Sequence, residues 1–279
     1  MKAKQYILAA ALMAASITST YFITVSTAQQ APTVPPLLDY QTSGTLYMQK
    51  AAEYRALAYQ AYNLARWQLD ADLDKKNIKK LAKAERKRPR AVMIDIDETV
   101  LDNSPAQAKS ILTASPFNSK DWYAWGEMRK AKAVPGVVEF LNYASSKGVK
   151  VFFASNRDQV QKQATIDNLK NIGLLDVSAE NVLLREKESS KEARKASIEK
   201  SYRIVLLIGD NLDDFSSAFE KRTIADRFAE TDKVRDLWGK RFIVLPDAMY
   251  GTWENAIYGY ERLTEEKKAQ RRAAALELP

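Results

Sequence analysis

The stretch Ala91–Asp102, AVMIDIDETVLD, combines a buried strand with acidic residues. It begins with an apolar run that is typical of a strand in a core. It continues into two carboxylates, Asp95 and Asp97, that are separated by one residue. Burying an unpaired charge is costly, so this arrangement predicts a partner that stabilises the negative charge. The remaining sequence indicates what kind of partner that is.

The residue types that are absent narrow the chemistry. The chain of 279 residues contains no cysteine and no histidine. This excludes disulfides, thiolate nucleophiles, Cys/His zinc sites and triads that use imidazole. Any catalysis must therefore use carboxylates, hydroxyls, amines, amides or a hard metal ion bound by oxygen.

The net charge of +8 at pH 7 raises the question of a nucleic acid partner. The basic residues are scattered, however, apart from the run Lys83–Arg90, which precedes the first strand and which we interpret as a solvated turn. A positive field of this kind favours a small anionic substrate. We therefore expect no nucleic acid polymer as a partner.

The first residues are typical of an export signal. Two lysines precede an apolar stretch, and Ser26-Thr27-Ala28 supplies small residues for cleavage before Gln29. We predict a signal peptide over residues 1–28 and a periplasmic or secreted protein. An uncleaved anchor is the alternative, because the segment is nearly long enough to span a bilayer.

Apolar strands alternate with helical patterns in most of the remaining chain. This alternation predicts an α/β fold with a central parallel sheet that helices cover on both faces. The predicted strands span residues 91–96, 149–154, 181–184, 203–208 and 241–245, and the predicted helices span 135–147, 158–172, 190–200 and 213–237.

A long helix is predicted before the sheet, over residues 45–73. Its apolar residues recur at three- and four-residue steps, as an amphipathic helix requires, and we expect it to pack without contributing chemistry. The residues expected on its buried face are Leu46, Ala52, Leu57, Tyr59, Leu64 and Trp67.

Polar side chains follow the predicted strands where each strand ends. Because ligands bind beyond the carboxyl ends of parallel strands, we expect these side chains to converge on one edge of the sheet. Clustered carboxylates without histidine or cysteine suit a hard divalent cation, for which we predict Mg²⁺. The residues concerned are Asp95 and Asp97 at the end of the first strand, Ser155-Asn156-Arg157 after the second, Lys187 and Lys191 after the third, and Asp210 and Asp214 after the fourth.

A carboxylate next to such a cation can attack phosphorus. The obstacle is electrostatic, because a carboxylate and a phosphate charge 4 Å apart repel by ~4 kcal/mol at the effective dielectric of a protein site. A divalent cation and a lysine remove this obstacle. Asp97, two residues beyond Asp95, is placed to protonate the leaving oxygen and later to accept a proton from water.

The segments DIDETVLDNSP, PGVVEF, FFASNR and GDNLDDF occur in this order and resemble the haloacid-dehalogenase superfamily of phosphohydrolases. More narrowly, they resemble the class C bacterial acid phosphatases, and the similarity extends from about Leu37 to Tyr260. The resemblance implies a Rossmannoid fold with a small cap insertion. It also implies Mg²⁺-dependent hydrolysis of phosphomonoesters, such as nucleoside monophosphates and aryl phosphates, through an aspartyl-phosphate.

The resemblance further implies a role for each candidate residue. Asp95 matches the nucleophile, and Asp97 matches the acid and base whose backbone carbonyl also binds the metal. The other implied residues are Asp210 and Asp214 at the metal, Ser155, Asn156 and Lys191 at the phosphate, and Trp122 and Tyr250 as an aromatic clamp on the leaving group.

Simpler interpretations stay open for several of these residues. Ser155 could cap the following helix, and Lys187 could take the place of Lys191. Trp122 and Tyr250 could be core aromatics, which is the usual role of such side chains. Glu98 is expected to be structural.

The expected domain organisation places a linker and helical extension at 29–89 and the catalytic core at 90–262, with the cap insertion around 103–133 and a charged tail at 263–279. Many members of the resembling family carry a lipobox cysteine, and its absence here predicts no lipid anchor. A homodimer is possible. Two other functions stay open on the same fold: a phosphotransferase, and a catalytically silent binding or storage protein.

Overall fold

The computed structural model describes residues 36–279 of the chain. The signal peptide predicted over residues 1–28 lies outside the described residues. Within the described part, no helix is both long enough and apolar enough to cross a membrane.

The described strands form one parallel sheet and one short antiparallel ribbon. Most residues of the sheet strands are buried, because helices cover the sheet on both sides. In chain order the strands are β1 (Arg90–Ile94), β2 (Leu101–Asp102), β3 (Lys132–Ala133), β4 (Lys150–Asp158), β5 (Val182–Arg185), β6 (Arg203–Gly209) and β7 (Phe242–Val244).

Strand β1 lies at the centre of the sheet, whose spatial order is β5-β4-β1-β6-β7. All neighbouring pairs are parallel, and Ile94 at the end of β1 lies opposite Phe153 of β4 and Ile208 of β6. The predicted α/β fold with a central parallel sheet is therefore confirmed. The carboxyl ends of β1, β4 and β6 meet at one edge, where parallel sheets bind ligands.

The helices enclose this sheet and supply the segments around its carboxyl edge. A short 3₁₀ helix, Pro36–Gln41, precedes them. They are α1 (Thr42–Lys50), α2 (Ala52–Leu73), α3 (Lys75–Ile78), α4 (Ser104–Leu112), α5 (Ser119–Met128), α6 (Val137–Ser146), α7 (Lys162–Asn171), α8 (Glu192–Glu199), α9 (Ile224–Lys233), α10 (Thr252–Ile257) and α11 (Glu265–Ala274).

Two of the predicted helices are interrupted. The helix predicted over 45–73 breaks at Ala51, whose extended backbone (φ −74°, ψ 127°) separates α1 from α2. The region predicted as helical over 213–237 contains one α-helix, α9, with separate 3₁₀ turns on either side of it. Ser216 and Thr223 explain this difference, because each side chain accepts a backbone N–H and starts a new turn.

The buried face predicted for the N-terminal helix is wrong. Leu46, Ala52, Leu57, Tyr59 and Trp67 are exposed, Trp67 by 73%, and Leu64 is only half-buried. The helix α2 instead packs on the fold through three alanines, which allow a close approach, and through larger residues between them. The residues of this buried face are Tyr54, Ala58, Ala61, Tyr62, Ala65 and Leu69.

Candidate active site

Three carboxylates form a compact cluster at the carboxyl ends of β1 and β6. Asp95 directly follows β1, Asp210 directly follows β6, and Asp214 ends the 3₁₀ turn Leu212–Asp214. One oxygen atom from each carboxylate lies within 4.8 Å of the others. The predicted convergence of these residues is therefore present in the structure.

Local contacts fix the last two carboxylates. Thr99 Oγ1 donates to Asp210 Oδ1 at 2.8 Å, and the Tyr62 hydroxyl of α2 donates to the Thr99 carbonyl at 2.6 Å. Gly209 has to be glycine, because a Cβ atom there would lie 2.3 Å from Oδ2 of Asp214. The position of Asp214 thus depends on a neighbour without a side chain.

Lys191 supplies a positive charge to the cluster. It precedes α8, it is only 5% exposed, and its Nζ contacts the Asp95 carboxylate and lies 2.7 Å from Asp214 Oδ1. Lys187, the alternative lysine, is exposed. The structure therefore brings Lys191, and not Lys187, to the carboxylates.

The cluster has an excess of negative charge, since three carboxylates and one ammonium sum to −2 when all are ionised. Burial raises the pKa of Asp95 to about 7, against the lowering effect of Lys191 and with further increases from Asp214 and Asp97. Burial and the neighbouring carboxylates also raise the pKa of Asp210 well above its ordinary value. Hard oxygen donors with this charge fit a divalent cation such as Mg²⁺.

Asp97 lies outside this cluster and pairs with a buried arginine. Its Oδ1 accepts from Arg157 Nη2 at 2.8 Å, from Arg157 Nε at 2.9 Å and from Asn103 Nδ2 at 2.9 Å. Its Oδ2 accepts from Ser155 Oγ at 3.1 Å and, at 3.2 Å, from Arg157 Nε. Binding of a metal by the Asp97 backbone carbonyl stays a prediction.

Arg157 is among the residues that the sequence places at this edge of the sheet, but its pairing with Asp97 was not predicted. It is 3% exposed, and although burial alone would lower its pKa, Asp97 raises the pKa above the ordinary value. Strand β4 continues beyond the predicted residue 154 to Asp158, with a register shift against β5 between Ser155 and Asp158. Such an irregularity changes the direction of the side chains in a strand. Arg157 lies within it, and its side chain is buried against Asp97. Its place directly after Ser155 and Asn156 was the available sequence signal.

Asn103 connects Asp97 to Glu98 and to helix α5. Its Nδ2 donates to Asp97 and to Glu98 Oε2, and its Oδ1 accepts from Trp125 Nε1 of α5 at 2.8 Å. Glu98 is fully buried and also accepts from the Asn103 backbone N–H at 2.7 Å and from the Tyr250 hydroxyl. These contacts agree with the structural role expected for Glu98.

Ser155 and Asn156 have different environments. Ser155 is fully buried, and its Oγ accepts the Arg157 backbone N–H at 3.0 Å. It does not cap the next helix, whose N-cap residue is Gln161. Asn156 is exposed, and its Oδ1 accepts from Arg194 Nη2 of α8 at 2.7 Å.

Trp122 and Tyr250 both line a cavity of about 770 Å³ that also includes Asp97, Asn156 and Arg157. The guanidinium carbon of Arg157 lies 5.4 Å from the centre of the Trp122 ring. Both aromatics are half-buried, so neither is an ordinary core residue. The geometry is compatible with the predicted clamp.

The sheet order and the carboxylate cluster at its edge define a haloacid-dehalogenase-like (HAD) protein. The family model described as "HAD superfamily, subfamily IIIB (Acid phosphatase)" matches residues 3–253. The chain therefore belongs to this family.

Two solved structures are similar to this protein over most of the chain. The structure of the class C acid phosphatase from Bacillus anthracis is 36% identical, with a TM-score of 0.80, and the match covers 87% of this chain and 98% of that chain. A structure of class C acid phosphatase from Bacillus anthracis with tungstate bound is 37% identical, with the same TM-score and coverage.

Two plant proteins are similar over a shorter region. Acid phosphatase 1 of Solanum lycopersicum is 27% identical over 130 residues, which are 44% of this chain and 50% of that protein. The stem 31 kDa glycoprotein of Glycine max is 31% identical over 125 residues, which are 43% of this chain and 49% of that protein. The chain thus matches about half the length of these two relatives.

Proposed function

We propose that the protein is a Mg²⁺-dependent acid phosphatase that hydrolyses small phosphomonoesters, such as nucleoside 5′-monophosphates and aryl phosphates. The observation that carries this proposal is the cluster of Asp95, Asp210 and Asp214 with Lys191 in contact with it. Family membership supports it. So does the relative with tungstate bound, since tungstate is a tetrahedral oxyanion like phosphate.

Asp95 is the proposed nucleophile. One of its carboxylate oxygens forms a bond to phosphorus while the bond from phosphorus to the ester oxygen breaks, which leaves an aspartyl-phosphate. Mg²⁺, held by Asp95, Asp210 and Asp214, would supply positive charge that offsets the repulsion between carboxylate and phosphate. Lys191 contacts Asp95 directly, and we assign it to neutralise phosphate oxygens.

Asp97 is the proposed acid and base. In the first step it gives a proton to the leaving oxygen, and in the second it takes a proton from the water that attacks the aspartyl-phosphate. Its Oδ1 is occupied by three donors from Arg157 and Asn103 at 2.8–2.9 Å, whereas Oδ2 has two contacts above 3.0 Å. We therefore assign the proton to Oδ2. Arg157 and Asn103 hold the carboxylate in one orientation.

The remaining residues bind the substrate. Ser155 and Asn156 lie within β4, Ser155 hydrogen-bonds to Asp97, and we assign both residues to the phosphoryl oxygens. Trp122 and Tyr250 line the cavity that the leaving group would occupy, and aromatic rings suit a flat base or aryl group.

A panel of phosphate esters assayed with Mg²⁺ and with EDTA tests this proposal. We expect hydrolysis of phenyl phosphate and adenosine 5′-monophosphate that EDTA abolishes and Mg²⁺ restores. The Asp95→Asn variant should be inactive yet folded, as judged by circular dichroism. Hydrolysis that continues in this variant would contradict the assignment of the nucleophile, and hydrolysis of neither ester by the unaltered protein would contradict the function.

A phosphoryl acceptor other than water is testable in the same assay. Adding an alcohol and comparing released phosphate with released phenol would show any transfer, because transfer to the alcohol gives less free phosphate than phenol. We expect equal amounts of the two products.

A further inference from the structure

The C-terminal helix α11 forms part of the wall of the substrate cavity. Glu265 and Lys268 of this helix line the same cavity as Asp97 and Trp122. The helix lies beyond residues 3–253, which the family model matches. Its sequence alone predicted only a charged tail over 263–279.

Arg272 attaches α11 to two other parts of the fold. Its guanidinium carbon lies 3.5 Å from the centre of the Tyr40 ring, in the 3₁₀ helix that precedes α1. Its Nη1 donates to the Tyr258 hydroxyl at 2.6 Å, and this hydroxyl donates to Glu254 Oε1 at 2.6 Å. The stacked arginine and this hydrogen-bonded chain hold the helix against the rest of the fold, where Glu265 and Lys268 line the cavity.

The distal wall of the cavity, which we define as Tyr40, Tyr258, Glu265 and Lys268, differs chemically from the carboxylate cluster. Lys268 Nζ lies 2.7 Å from Glu265 Oε1, so this ammonium is already neutralised within the wall. The two tyrosine rings add aromatic surface. Such a wall favours a neutral group that can stack and hydrogen-bond.

The size of the cavity leaves space for a long leaving group. Pockets for small molecules start at roughly 300 Å³, and this cavity measures about 770 Å³. An ester as short as phenyl phosphate would fill only part of it. A larger leaving group would fill more of the cavity, including the part that α11 lines.

We propose that α11 forms a distal subsite that makes the enzyme prefer phosphomonoesters whose leaving group is long and ends in a neutral, hydrogen-bonding ring. Esters too short to reach the distal wall do not gain these contacts. This inference rests on the proposed phosphomonoesterase activity and names the part of the chain that selects among its substrates.

The test compares adenosine 5′-monophosphate with phenyl phosphate in the full-length protein. The Arg272→Ala variant removes the attachment of α11 to Tyr40 and Tyr258. We expect the ratio of kcat/KM for the nucleotide to kcat/KM for phenyl phosphate to fall about fivefold to tenfold, mainly through a higher KM for the nucleotide. The matched control is Arg271→Ala on the same helix, which removes only an exposed pair with Glu261 and should leave the ratio within about twofold.

A second variant, a chain that ends at Arg262, removes α11 completely. If circular dichroism shows that it folds, its ratio should fall at least as far as in Arg272→Ala, and an unchanged ratio overturns the inference. If it does not fold, Arg272→Ala decides alone, and an unchanged ratio or an equal loss for both esters overturns the inference. Failure of the unaltered protein to hydrolyse either ester would instead contradict the proposed function.

Discussion

Replacing Asp95 with asparagine should stabilise the metal-free protein at neutral pH while it abolishes activity. Burial raises the pKa of Asp95 to about 7 in the folded chain, whereas an aspartate in an unfolded chain has a pKa of ~3.9. The folded state therefore binds the proton more tightly. The contribution of Asp95 to stability is fully present below about pH 4 and is lost as the pH rises to about 7.

The difference between these two pKa values gives the magnitude of this loss, about 4 kcal/mol. Burial is its main cause, and carboxylate repulsion adds to it. Two unit charges 4.8 Å apart, the upper limit of the separation in the cluster, repel by about 3.5 kcal/mol at an effective dielectric of 20. Asp95→Asn removes the charge of Asp95 and with it this repulsion. The ammonium of Lys191 stays paired in the variant, because it also contacts Asp214.

Urea unfolding in EDTA between pH 4.5 and pH 8 measures this effect. The free energy of unfolding of the unaltered protein should decrease with rising pH by about 3–4 kcal/mol more than that of Asp95→Asn. The control is Asp236→Asn, which alters an exposed aspartate far from β1 in sequence and should follow the unaltered protein. Mg²⁺ at pH 7.5 should stabilise the unaltered protein and have a much smaller effect on Asp95→Asn. Parallel pH curves for these two proteins would refute the reasoning.

Three further changes test other parts of the site and fold. Trp125→Phe removes the indole N–H that holds Asn103, so kcat should fall about tenfold with little change in KM, as steady-state kinetics would show. Gly209→Ala places a methyl group against Asp214, and the rise in melting temperature on adding Mg²⁺ should shrink or disappear. Asp72→Asn should lower the free energy of unfolding by about 1–3 kcal/mol at pH 7 and less at pH 3. Burial alone would raise the pKa of Asp72, but hydrogen bonds from two arginines, on β1 and β6, hold it below its ordinary value. The ionised Asp72 therefore stabilises the fold, and this stabilisation is lost as the pH falls through that pKa.

Matched controls separate these effects from general damage. Trp238→Phe removes an indole N–H that donates to the Thr231 carbonyl and not to a residue of the site, so kcat should fall much less than in Trp125→Phe. An equal loss of kcat in both tryptophan variants would contradict the role given to Asn103. An undiminished response of Gly209→Ala to Mg²⁺ would contradict the role of Asp214. Equal destabilisation of Asp72→Asn at pH 3 and pH 7 would contradict the ionic origin of its effect.

The sheet and the carboxylate cluster could be predicted because their determinants are local. Each strand is a short apolar run, and Asp95 and Asp210 directly follow two of these runs. Parallel topology then brings them to one edge. Lys191 could be preferred over Lys187 only through resemblance, whereas its burial against Asp214 is a result of tertiary packing.

The features that were missed depend on contacts between distant parts of the chain. Alanines give α2 its buried face, and the hydrophobic pattern assigned that face to larger residues such as Trp67. Arg157 is buried against Asp97 beside an irregularity in the pairing of β4 with β5. The position of α11 depends on the contact of Arg272 with Tyr40, near the other end of the described residues.

The proposed covalent intermediate is tested most directly by locating the phosphoryl group during turnover. The protein is mixed with phenyl phosphate and Mg²⁺, quenched in acid within milliseconds, digested and analysed by mass spectrometry. We predict one phosphoryl group on the peptide that contains Asp95, and none on that peptide in the Asp95→Asn variant. A phosphoryl group on another residue, or turnover without any labelled peptide, would contradict the account.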